Sequence, residues 1–122
     1  MTIASGSVYE DSTFTLMARF EVLGVNGLQA DVSAITVKGW DVSDFTATVL
    51  SATPTSAASI YDTLQTVMWS EDSTGYNFRY DVADTICVTA GARYLFEAVL
   101  TTSGGTITLD PWEVECRQTR SS

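Results

Sequence analysis

The side chains of this sequence that could carry out chemistry are mainly carboxylates and two thiols. The chain has 15 acidic residues, 2 cysteines and no histidine. Ser-His-Asp and Cys-His catalysis both need an imidazole base, so neither can be built in its ordinary form. Two carboxylate pairs remain, Glu71 with Asp72 and Asp41 with Asp44, but each occurs in a polar segment where acidic turn residues are expected. The sequence therefore predicts no catalytic residues and a non-enzymatic protein.

Metal and cofactor sites are not indicated either. A zinc site needs about four nitrogen or sulfur ligands, and Cys87 and Cys116 cannot supply them alone. No glycine-rich phosphate loop leads from a strand into a helix. For the two cysteines we weigh two buried free thiols against a disulfide, and we favour the free thiols because a protein that is not exported usually stays reduced.

The aromatic side chains are the remaining candidates for a binding site. Alternation places Phe14, Phe20, Phe78 and Phe96 in the core. For four other aromatic residues, the pattern does not decide whether the ring is buried or exposed. Aromatic rings at a surface mark contacts with proteins or sugars. They form the candidate interaction surface: Trp40, Tyr61, Trp69 and Trp112.

The elements that must position these side chains are predicted to be strands. In residues 76–82, Tyr76, Phe78, Tyr80 and Val82 alternate with polar residues, as in a strand with one face in a core. The same pattern recurs in six further segments, and no segment has a helical period. These segments are residues 13–23, 35–42, 45–50, 60–69, 93–100 and 106–117.

The segments between these strands carry turn residues. Residues 24–27 end the alternation of segment 13–23, and Asn26-Gly27 is the expected turn pair there. Gly104-Gly105 predicts a hairpin between segments 93–100 and 106–117. Residues 51–59 are predicted to be an exposed loop. About seven strands with this spacing predict a single immunoglobulin-like antiparallel β-sandwich, an all-β fold spanning residues 1–122.

Two terminal segments lie outside the predicted sandwich. Residues 1–8 are interpreted as an N-terminal arm, extended and ordered mainly by contacts outside its own sandwich; the alternative is that they are the start of the first strand or a frayed end. Residues 118–122 are read as a polar tail.

Charge and hydrophobicity restrict the class of partner. The net charge of -9 would repel phosphate backbones and anionic headgroups, so neither nucleic acid nor membrane is expected as a partner. The sequence has no apolar run long enough to span a bilayer. Residues 1–7 lack the basic and apolar regions of a signal peptide, so we expect the protein to be made in the cytoplasm of its host.

The order of elements resembles a family of small phage and prophage proteins with an immunoglobulin-like sandwich, found in heads, necks, tails and baseplates. The resemblance rests on residues 9–20, 35–38, 72–78 and 91–99, the last with Gly91 followed by Arg93-Tyr94. It implies a virion structural protein without catalytic residues or cofactors. Its implied partners are other virion proteins, with a homo-oligomer in an assembly. The alternative is a carbohydrate-binding or adhesive surface module.

Overall fold

A computed structural model describes residues 5–9, 11–67, 69 and 72–118 of the chain. Most of these residues lie in strands, which confirms the expected all-β class. The strands are β1 (Ser5–Tyr9), β2 (Phe14–Ala18), β3 (Glu21–Val22), β4 (Val25–Asn26), β5 (Val32–Asp41), β6 (Leu50–Ala52), β7 (Ile60–Gln65), β8 (Tyr76–Val82), β9 (Arg93–Thr102), β10 (Gly105–Thr108) and β11 (Trp112–Arg117). The helices are a 3-10 turn, Gln29–Asp31, and α1, Ser56–Ser59.

The larger sheet is organised around β9. Its strand order is β1-β11-β9-β5-β6. Strand β5 pairs antiparallel with β9 from Val32 opposite Thr102 to Asp41 opposite Tyr94. On the other side of β9, β11 pairs with its first half and β10 with its second half. Strand β1 is parallel to β11, so the sheet is mixed.

A smaller sheet, of order β2-β8-β7, supplies the second layer. Inward side chains of both sheets form one core, which gives a β-sandwich-like arrangement. From β9 the predicted face is confirmed, because Tyr94, Phe96, Ala98 and Leu100 are all buried. The ring of Phe96 meets Phe14 edge-on at 5.4 Å between centroids. Phe20 and Phe78 are buried as predicted, and Phe14 is half-buried against the same core.

The described residues contain eleven strands instead of about seven. The predicted segment 13–23 is interrupted after Ala18, and segment 106–117 is interrupted at Asp110-Pro111, where proline has no N–H for a ladder. Residues 45–49 form no strand, because the Asp44 carboxylate takes the Thr46 backbone N–H (3.0 Å) into a local turn. The predicted loop 51–59 instead contains the end of β6 and α1, which Thr55 caps.

The expected N-terminal arm was wrong for residues 5–8. These residues belong to β1 and pair with β11 of the same chain, from Ser5 opposite Glu113 to Val8 opposite Cys116. A parallel partner that is distant in sequence leaves no local signal, so the pattern could not show it. Residues 1–4 lie outside the described residues, as does the predicted tail beyond Gln118.

The expectation of two free thiols was also wrong, because Cys87 and Cys116 form a disulfide with their Cα atoms 5.9 Å apart. The connection between β8 and β9 crosses the end of β11. There Gly91 N–H donates to the Cys116 carbonyl (2.7 Å), and Cys116 N–H donates to the Ala92 carbonyl (2.8 Å). These contacts bring Cys87 beside Cys116, within the Cα separation that a disulfide requires. Among the described helices, none has the length and apolar character needed to cross a membrane.

Candidate interaction surfaces

The connection between β5 and β6 is shaped by two consecutive turns that its own carboxylates hold. Asp41 accepts hydrogen bonds from the Ser43 backbone N–H (2.9 Å) and hydroxyl (2.7 Å). Asp44 accepts in the same way from Thr46. These bonds lower the pKa of both carboxyls below the ordinary value for aspartate. Both side chains are therefore anionic at neutral pH.

This connection exposes large apolar side chains next to the two carboxylates. Phe45 is 55% exposed, and its ring centroid lies 6.4 Å from that of the half-buried Trp40. Val42 and Val49 on the same connection are also exposed. We call Trp40, Val42, Phe45 and Val49 the β5–β6 patch. The hydrogen bonds that Asp41 and Asp44 accept hold the turns of this connection, so the two carboxylates lie on the same ordered segment as the patch.

Two other predicted surface residues form a separate aromatic cluster. Tyr61 and Trp69 are half-buried, and both pack on the buried Tyr76, with centroid distances of 5.8 Å and 5.6 Å. Trp69 Nε1 also donates to the Asp72 carboxylate (2.8 Å). We call Tyr61, Trp69 and Tyr76 the tyrosine–tryptophan cluster.

Asp72 connects this cluster to the end of β2. The carboxylate accepts from Trp69, from Arg19 Nη1 (2.8 Å), and from the backbone N–H groups of Thr74 and Gly75. The bonds from Trp69, Gly75 and Arg19 hold the pKa of Asp72 far below its ordinary range. Asp72 thus orders the connection between β7 and β8, while Glu71, its predicted partner in a carboxylate pair, lies outside the described residues.

The fourth predicted surface residue, Trp112, is a core residue, and the prediction was wrong. Trp112 is 2% exposed, and it stacks on Phe78 with a centroid distance of 6.0 Å. Its Nε1 donates to the Met17 carbonyl (3.0 Å), so the polar edge of the indole is satisfied inside the domain. The four predicted rings therefore do not form one surface: Trp40 belongs to the larger sheet, and Tyr61 and Trp69 flank the smaller one.

The most exposed apolar side chain lies where no surface was predicted. Strands β3 and β4 form a hairpin whose two-residue turn is Leu23-Gly24, and Leu23 is 99% exposed. The expected turn pair, Asn26-Gly27, lies at the base of the hairpin instead. A leucine in a turn position was the sequence signal that could have drawn attention to this tip, because turns of this kind favour asparagine and glycine.

Asn77 is the second residue that the pattern misplaced. Alternation put its side chain on the outer face of β8, yet it is 1% exposed. Its Oδ1 accepts from Phe20 N–H (2.9 Å), and its Nδ2 donates to the carbonyls of Phe20 (3.0 Å) and Gly27 (3.1 Å). The side chain therefore closes the base of the β3–β4 hairpin.

Within the described part of the chain, no group of three or more histidine, cysteine, aspartate or glutamate residues is placed to hold a metal ion. No protein-family model matches the sequence, and no curated protein or solved structure shows a significant match to it. The two exposed apolar regions and the tyrosine–tryptophan cluster are the features from which a function can be argued.

Proposed function

We propose that this chain is a non-enzymatic virion structural protein that acts through protein–protein contacts, in a phage neck, tail or capsid surface. The observation that carries the proposal is the β5–β6 patch. Clustered exposed apolar side chains mark interaction sites, whereas scattered ones do not, and the rings of Trp40 and Phe45 lie 6.4 Å apart between centroids. The patch has a half-buried tryptophan beside an exposed phenylalanine, and aromatic residues are enriched at protein interfaces.

The strand order supports a finer fold proposal, an immunoglobulin-like sandwich. In that fold, strands C, F and G are neighbours in one sheet, and strands B, E and D are neighbours in the other. Strands β5, β9 and β11 have the relative order of C, F and G, and β2, β8 and β7 have the order of B, E and D. In the phage proteins that the sequence resembles, such domains are assembly modules without catalytic residues.

The tyrosine–tryptophan cluster favours a second candidate function, carbohydrate binding. Tyr61 and Trp69 are each half-buried, and both rings pack on the buried Tyr76. Positioned rings of this kind stack on sugars. The two functions use different surfaces, so they can be tested separately.

The test is the oligomeric state over a range of protein concentrations, measured by size-exclusion chromatography with light scattering. We expect a closed oligomer that Phe45→Ser converts to monomer, because the substitution removes the most exposed apolar side chain of the patch. Val67→Ser is the matched control, since Val67 is an exposed apolar residue on another connection. A monomer at every concentration that binds an oligosaccharide, and loses that binding on Trp69→Ala, would contradict the proposal and support the alternative.

A further inference from the structure

The tip of the β3–β4 hairpin has an unusual backbone for its residue type. Val22 and Val25 are paired, and the two residues between them have positive φ, 54° at Leu23 and 81° at Gly24. This is the turn geometry that asparagine and glycine adopt readily, whereas a bulky side chain at positive φ is a conformational outlier. Leu23 therefore holds an unfavourable backbone conformation.

Within the described part of the chain, no burial of the Leu23 side chain offsets the cost of this backbone conformation. Its side chain is 99% exposed, and Val25 beside it is 68% exposed. The burial that normally stabilises a leucine is therefore absent from the isolated domain. Strain and exposure at the same residue point to a contact outside the domain that favours leucine.

The base of the hairpin shows why the chain does not relax by moving the turn to Asn26-Gly27. Gly27 N–H donates to the Phe20 carbonyl (3.1 Å), and a Cβ at Gly27 would lie 2.0 Å from the Phe20 ring. The three hydrogen bonds of Asn77 fix the same two residues. The register is thus set from inside the domain. Because the tip is held before any contact forms, less conformational entropy is lost on binding.

The charge of the chain restricts what the tip can contact. Glu21 is exposed on the same hairpin, and the net charge is -9. A second copy that met this one hairpin to hairpin would bring two exposed Glu21 carboxylates together, and an anionic lipid surface would repel the same side chain. A protein pocket with an apolar floor and basic side chains around it complements both the leucine and the charge.

We propose that the β3–β4 hairpin is a docking element whose Leu23 inserts into an apolar pocket, rimmed by Lys or Arg, on a different protein. Along the chain, the β3–β4 hairpin comes before β5 and the β5–β6 patch comes at its end. The hairpin and the patch are therefore separated by the length of β5, about 30 Å. This contact is therefore separate from the one that carries the proposed function.

Leu23→Asn is the discriminating variant, because it installs the residue that this turn favours while removing the apolar contact. We expect its thermal midpoint to rise above that of the unchanged protein, since the strain at Leu23 is relieved. Val67→Asn, on another exposed apolar residue, is the matched control and leaves the turn unchanged. A lower midpoint for Leu23→Asn would mean that Leu23 stabilises its own domain, and the proposal would be wrong.

Selection from a random peptide library on the immobilised full chain tests the partner chemistry. We expect enriched peptides to combine an apolar residue with Lys or Arg, to bind Leu23→Asn about tenfold more weakly or worse, and to bind Val67→Asn unchanged. Their affinity should fall as the NaCl concentration rises. No enrichment, enrichment of acidic peptides, equal binding to Leu23→Asn, or self-association that Leu23→Asn removes would each overturn the proposal. Phe45→Ser should leave peptide binding intact, so failure of the proposed function is recognised separately.

Discussion

The two ends of this domain are held together by different chemistry. At the hairpin end, which carries the β3–β4 hairpin and the β7–β8 connection, hydrogen bonds made by the Asn77 side chain and accepted by the Asp72 carboxylate bridge segments that are distant in sequence. At the disulfide end, which carries the β5–β6 and β8–β9 connections, a covalent bond links Cys87 to Cys116, and hydrogen bonds between near neighbours hold the turns. The hairpin end therefore depends on hydrogen bonds between distant segments, whereas the disulfide end depends on redox state in addition to its own carboxylate-held turns.

Core truncation should affect both ends alike, and it has the largest expected effect. Phe96→Ala and Phe78→Ala should each lower the free energy of unfolding by about 3–5 kcal/mol, because both rings are fully buried. Urea denaturation measures the loss, and amide hydrogen exchange should show reduced protection at both ends. Losses below about 1 kcal/mol at both positions would contradict the packing of β8 against β9.

Removal of the disulfide should lower the stability of the whole domain and, beyond that, loosen the disulfide end locally. The Cys87→Ala/Cys116→Ala variant should lose about 3.5 kcal/mol, the value expected from chain entropy for cysteines separated by 29 residues. Hydrogen exchange should increase mainly in the β8–β9 connection and at the end of β11. If hydrogen exchange increased in the β3–β4 hairpin by as much as in the β8–β9 connection, the two ends would not be independent.

Loss of Asn77 should weaken the opposite end. Asn77→Ala leaves the Phe20 N–H and the Gly27 carbonyl without their side-chain partner, and we expect the free energy of unfolding in urea denaturation to fall by about 2–3 kcal/mol. Asn26→Ala, an exposed position on the same hairpin, serves as the control and should change stability little. Equal losses of unfolding free energy in Asn77→Ala and Asn26→Ala would show that the hydrogen bonds of Asn77 do not hold the base of the hairpin.

Acid should produce the smallest and most local change at the hairpin end. The pKa of Asp72 is lower in the folded protein than in the unfolded chain, so its contribution is present above about pH 4 and declines as the pH falls below that value. The indole N–H resonance of Trp69 should report this change, since Trp69 donates to Asp72. Asp72→Asn should shift that resonance already at neutral pH, whereas Asp44→Asn should not. If the Trp69 indole resonance shifted in Asp44→Asn and stayed unchanged in Asp72→Asn, Asp72 would not be its hydrogen-bond partner.

Features that depend on short-range pattern were predictable from the sequence. Strands β8 and β9 were found because their apolar residues alternate over their full length, and the β9–β10 hairpin was found because glycines mark its turn. The burial of Phe78 and Phe96 follows from the same alternation.

Features that depend on contacts between distant residues were not predictable. Asn77 is buried because Phe20 and Gly27 offer hydrogen-bonding groups to it, and periodicity carries no information about them. The disulfide could be predicted only by knowing that the β8–β9 connection crosses the end of β11. Trp112 was assigned to the surface because the pattern did not reveal the Met17 carbonyl that satisfies its indole.

The parallel pairing of β1 with β11 has a consequence for the kinetics of folding. Ser5 lies opposite Glu113, so this contact joins residues separated by almost the whole chain. Contacts of such high sequence separation carry a large loop-closure entropy and form late, after local pairs such as the β9–β10 hairpin. During synthesis, β1 leaves the ribosome long before its partner exists. The nascent chain therefore carries an unpaired strand through most of its translation, which is the period in which a chaperone or an assembly partner has the greatest access to it.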